Sequence, residues 1–231
     1  MSYLETMKGW IMLMLFVGLI GAGLWNESKL PQARLPELSD TDKRFLLSLA
    51  RRQLESVITT GRGITVDRGS IPENVQVPAA CFVTLNENGM LRGCILDSFT
   101  PHEPMYKNVM RNVVLAATSD PRFPPVRPAE LPKIEIEISV LDRPKPLSFS
   151  GPDDLLRKLH PGVDGVILKT RTGSSTYLPQ VWETFPDPVD FLSSLCEKQG
   201  ADPNCWRSDP PPTVEIYHVI HFSESDLGDE R

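Results

Sequence analysis

The sequence predicts an α+β fold, a mainly antiparallel sheet flanked by helices, preceded by one transmembrane helix. Three observations predict it. Ile134, Ile136, Ile138 and Val140 alternate with Glu135, Glu137 and Ser139, giving a strand with one dry and one polar face, as an antiparallel sheet requires. Strand-like and helix-like segments are interspersed, yet hairpins dominate and no series of strand-helix-strand crossovers emerges. Residues 9–25 carry no charge, run through Ile11-Met12-Leu13-Met14-Leu15-Phe16-Val17, and have Trp10 and Trp25 near their ends. That length is at the short limit for crossing a bilayer, and tryptophans suit its interfaces.

Taken in order, residues 1–28 form the expected membrane element. An uncleaved anchor is favoured over a signal peptide, because Glu5 accompanies Lys8 and Gly21-Ala22-Gly23 is a poor cleavage signal. The expectation is a single-pass membrane protein. Basic residues flank both ends, so the side occupied by the soluble part stays open. Residues 29–38, with Pro31 and Pro36, read as a linker; 39–223 as one domain; 224–231 as a polar tail.

Asp40 is the expected N-cap of a helix carrying Leu46, Leu49, Ala50, Leu54, Val57 and Ile58 on one stripe and closing at Gly61. A loop then leads to a hairpin, Ala80 to Leu85 and Leu91 to Ile95, around Asn86-Glu87-Asn88-Gly89. Two-residue and three-residue turns both fit, so the register and the partner of Cys94 stay open. A second helix starts near Pro104, with Met105, Val109, Val113 and Ala116 on one stripe, and stops before Pro121. After the strand at 134–140 come a short helix from Pro152, strands at 165–170 and 175–178, and a helix opened by Asp187-Pro188 and closed by Gly200. One final strand is expected over Val214 to Phe222.

Of 231 residues, 40% are hydrophobic, enough for a globular core, and the net charge of −6 with no Lys/Arg cluster argues against nucleic-acid binding. The four cysteines, at 81, 94, 196 and 205, form no C-x-x-C pair and no zinc-type spacing, so neither metal nor cofactor is expected. Cys196 and Cys205 form a bridge in an oxidising compartment or remain two free thiols.

Alternation along Leu91-Arg92-Gly93-Cys94-Ile95 puts Arg92 and Cys94 on one face, with bare backbone at Gly93 between them. A cation beside sulfur favours thiolate, whereas a cysteine of no special role is most often a small buried hydrophobe. Together with Ala116 to Pro125, which contains Asp120-Pro121-Arg122-Phe123, and Thr176-Tyr177-Leu178-Pro179-Gln180-Val181, this segment resembles the AMMECR domain family (Alport syndrome, midface hypoplasia and elliptocytosis). Glu137 to Leu141 and Phe191 to Lys198 fit as well. The resemblance covers roughly residues 40 to 223.

It implies a larger and a smaller subdomain with the Arg-Gly-Cys hairpin at the groove between them, and a setting shared with a Memo-type protein and a radical S-adenosylmethionine enzyme. It implies no settled reaction. Leu96 stands where the family usually has glycine. For an enzyme, Cys94 is the candidate nucleophile, Arg92 the cation that lowers its pKa, and His102 the first candidate base. Gly93, Asp120, Arg122 and Gln180 are the candidate substrate-binding residues, for a small molecule or a peptide. The alternative is a non-catalytic module that binds a ligand or a protein.

Overall fold

Residues 35–228 are described by a computed structural model of the protein, and the secondary structure in it follows from local chemistry. Helix α1 spans Asp40–Thr60; its N-cap is Ser39, one residue before the expected Asp40, because the Ser39 hydroxyl accepts from the Asp42 amide while the Asp42 carboxylate accepts from the Ser39 amide. Gly61, at φ 72°, closes it in the left-handed conformation that glycine adopts without strain. Helix α2, Met105–Thr118, buries Met105, Val109, Val113 and Ala116.

Strands β1 (Ala80–Glu87) and β2 (Met90–Ile95) are joined by the two-residue turn Asn88-Gly89, both at positive φ, which resolves the open register: Thr84 lies opposite Cys94. β3 (Ile134–Leu141) pairs with β1 and with β8 (Val219–Ser223), giving a first sheet in the order β2-β1-β3-β8. The second sheet is β4 (Lys145–Pro146), β7 (Thr213–Tyr217), β5 (Gly165–Lys169) and β6 (Ser174–Tyr177), in that order. All pairings are antiparallel.

The described residues form four layers. Helices α1 and α2 cover one face of the first sheet, meeting Val83, Leu85, Ile136 and Ile138. Helices α3 (Pro152–Lys158) and α4 (Pro188–Lys198) cover the second, meeting Val166 and Leu168. The two sheets meet through Phe82, Leu141, Ile167 and Tyr217. Each sheet has its own apolar core.

Two expectations are corrected. Among the described residues no helix is long and apolar enough to cross a membrane, and the apolar run at 9–25 that prompted the transmembrane helix and the single-pass membrane location lies outside the described residues, so neither is retained. The single strand expected over 214–222 is two strands in different sheets, broken at His218, whose amide donates to Asp142 Oδ1 at 2.7 Å instead of to a ladder. The Cys196–Cys205 pair is bridged, tying the end of α4 to a 3₁₀ turn at Cys205–Arg207.

Candidate functional site

The polar face of the first sheet looks toward the second, and register lines up Cys94 of β2, Thr84 of β1 and Glu137 of β3 as one row across three strands. Strand spacing separates Cys94 and Glu137 by about 10 Å at the backbone. This row lies in a cleft of about 480 Å³, whose other wall is Thr176, Tyr177, Leu178, Gln180, Val181 and Lys198. Phe82 and Leu96 add apolar surface.

The hairpin does not place Arg92 beside Cys94. A β-bulge pairs Leu85 with Gly93 but Asn86 with Leu91, leaving Arg92 without an opposite residue and breaking the alternation on which the shared face depended. The buried Arg92 guanidinium instead bonds Glu130 Oε1 at 2.8 Å, holding that carboxyl down at about 2. Gly93 is required by the protein's own backbone: a Cβ there would stand 2.2 Å from the Ala116 carbonyl oxygen at the end of α2, so the close approach belongs to α2 and not to a ligand.

What brackets Cys94 is Asp120-Pro121-Arg122. The Cys94 amide donates to Asp120 Oδ2 at 2.9 Å, and Arg122 Nη2 donates to the Cys94 carbonyl at 3.3 Å. Arg122 also grips Asp120 through Nε at 2.9 Å and Nη2 at 2.7 Å, which holds the Asp120 carboxyl at about 2. Both peptide groups of Cys94 are thereby fixed by one ion pair.

The Sγ atom accepts from the Thr84 hydroxyl at 3.2 Å. Burial pushes the thiol pKa up; the Thr84 bond and the charges of Arg122 and Lys198 oppose that only in part. The expected activating effect of Arg92 is absent from these causes. Lys198 sits at the rim, donating to the Thr176 carbonyl at 2.8 Å with its ammonium 4.5 Å from the centre of the Tyr177 ring.

His102 is not poised as a base for Cys94. Its Nδ1–H reaches the Thr100 carbonyl, and its Nε2 accepts from Arg111 at 2.9 Å. It lies outside the cleft lining. Asp97, His102 and Glu103 bring potential metal-ligand atoms within 4.8 Å of one another, but Arg111 bonds Asp97 at 2.7 Å and Glu103 at 2.6 Å, so a guanidinium already occupies both carboxylates.

Of the residues singled out in the sequence, Cys94, Asp120, Arg122 and Gln180 come together, whereas Arg92, Gly93 and His102 serve other contacts. Gln180 donates to Ser139 Oγ at 3.3 Å. Thr84, Glu137 and Lys198 were missed. Lys198 stands in a segment that fits the family pattern, and Glu137 lies on the polar face of β3, but assigning either required the sheet register.

The family model described as AMMECR1 matches residues 47–222. Among curated relatives, a protein of Thermococcus onnurineus is 38% identical over 197 residues, 83% of this chain and 95% of its own length. One from Methanothermobacter thermautotrophicus is 35% identical over 188 residues, covering 81% and 96%. The crystal structure of uncharacterized protein PH0010 from Pyrococcus horikoshii superposes with a TM-score of 0.73 at 32% identity, covering 80% of this chain and 93% of that one.

Proposed function

This chain belongs to the AMMECR1 family, and from that membership we propose that it is a ligand-binding domain that holds a small molecule or peptide in the Cys94 cleft. The observation that carries the reading is the cleft itself. It is an apolar-walled space of about 480 Å³ whose cations, Arg122 and Lys198, stand at the rim, while the thiol inside is pushed toward its neutral form. A neutral thiol is a soft contact surface and a poor nucleophile. Asp120 and Arg122 act by fixing the backbone of β2, so the cleft is shaped before anything enters it. A Memo-type protein and a radical S-adenosylmethionine enzyme are the partners proposed to supply or consume the ligand, on the strength of the family resemblance alone.

Thiol chemistry is the second reading, favoured by the Thr84 hydroxyl bond to Sγ and the two nearby cations. Alkylation of Cys94 against pH in the full chain, with Cys94→Ser as the blank, separates the two. Ligand binding expects slow reaction at neutral pH that rises only above about pH 8.5, where a free thiol ionises. Rapid alkylation near pH 6 would sink that reading and support the nucleophile. Native mass spectrometry of protein purified from its source then identifies what the cleft retains.

A further inference from the structure

We propose that the ligand of this cleft is a short peptide with free termini, its C-terminal carboxylate held between Arg122 and Lys198 and its amino group at Glu137. The inference rests on the ligand-binding reading above and names a ligand class for that site.

Two charged groups of the cleft, Lys198 and Glu137, lack a counterion among the described residues. Arg122 uses Nε and Nη2 on Asp120 and on the Cys94 carbonyl, leaving Nη1 without a bond among the described residues. Lys198 has the Thr176 carbonyl and the Tyr177 ring as neighbours but no carboxylate among the described residues. Asp120 balances one of these two cations, so the rim is short of one negative charge. Burial, followed by the charge of Arg122, pushes the Lys198 pKa down, opposed in part by Cys94 and Asp120. Across the row, Glu137 bonds the Asn86 amide at 2.6 Å and meets no cation among the described residues. Burial, followed by the charges of Glu135 and Asp226, pushes its pKa up.

Length and shape select among zwitterions. The Cys94–Thr84–Glu137 row sets Glu137 about 10 Å from Cys94, two strand spacings away, and Arg122 stands beside Cys94, with Nη2 3.3 Å from its carbonyl oxygen. A chain spans about 3.3–3.6 Å per residue, so about three residues bridge the ends. A single amino acid is too short, and inorganic phosphate leaves Glu137 unmatched. Phe82, Leu96, Leu178 and Val181 offer an apolar wall for one leucine-sized side chain.

The probe is therefore Ala-Leu-Ala, titrated calorimetrically against the full chain beside its N-acetyl and C-terminal amide forms, with protection of Cys94 from alkylation as a parallel readout. The free tripeptide is expected to bind, and each capped form about tenfold more weakly or worse. Lys198→Met should weaken the free peptide by a similar factor and leave the amide, which has no carboxylate to lose, unchanged. Glu137→Gln should do the same at the other end, sparing the N-acetyl form. This selective pattern is one that a misfolded variant does not produce. Equal binding of free and capped forms overturns the assignment of the two ends. No binding of any tripeptide overturns the peptide class, whether or not phosphate protects Cys94; the alkylation profile of the unliganded chain judges the ligand-binding reading separately.

Discussion

A methyl group on Gly93 would stand 2.2 Å from the Ala116 carbonyl oxygen, and because that oxygen is backbone at the end of α2, no side-chain rotation relieves the clash. Gly93→Ala is expected to destabilise the fold by about 3 kcal/mol or more, since strand and helix must part to admit the new atom. Urea unfolding measures it, and a change under about 0.5 kcal/mol would show that the two backbones are not in contact. Arg92 has the opposite role from the one its neighbour suggested: its value lies in Glu130, whose carboxyl falls from an ordinary 4.5 to about 2. A carboxyl depressed by folding contributes stability above its unfolded pKa and loses it as pH falls through the folded one. Stability from the contacts of this carboxyl, with Arg92 first and Arg127 after it, is thus intact at neutral pH and lost between about pH 4.5 and 2, on the order of 2–3 kcal/mol. Glu130→Gln should flatten that part of the acid-unfolding profile; an unchanged slope would deny the pair its role.

Among the elements, α1 depends on a reciprocal cap that both shapes and starts it. Ser39→Ala removes the acceptor for the Asp42 amide, and about 1 kcal/mol of stability is expected to go with it. For a chain of this size that lowers the melting temperature by about 2–4 °C, readable by calorimetry; Asp40→Ala, which alters no cap bond, should shift it far less. The β1–β2 hairpin carries two irregularities with different effects. The Asn88-Gly89 turn sets the register that brings Thr84 to Cys94, and the bulge at Arg92 turns that side chain away from them. The loop holding Asp120 and Arg122 completes the element by occupying the Cys94 peptide groups on the free edge of β2.

At the level of the whole molecule, what could be read from the chain was whatever repeats locally. The helices at α1 and α2 and the alternation of β3 declare themselves within their own residues, whereas Cys94, Asp120, Arg122 and Gln180 were singled out together only through the family resemblance. Long-range facts could not be read that way. The row Cys94–Thr84–Glu137 needs the pairing of three strands, the role of Gly93 needs the position of α2, and Lys198 reaches the cleft from a helix on the second sheet. The break at His218 was hidden because Val214, Ile216, Ile220 and Phe222 keep one alternating phase through it, while the Asp142 carboxylate that interrupts the ladder comes from 76 residues away. That break also orders events during synthesis. β7 lies between β4 and β5, so the β5–β6 hairpin leaves the ribosome with one long edge bare until Thr213–Tyr217 follow. Residues 219–223, emerging next, supply the outer strand of the other sheet. Both halves of the protein therefore wait on one late stretch of about ten residues, and a nascent chain stalled before it presents an unpaired strand edge, the surface most prone to pairing with a neighbour.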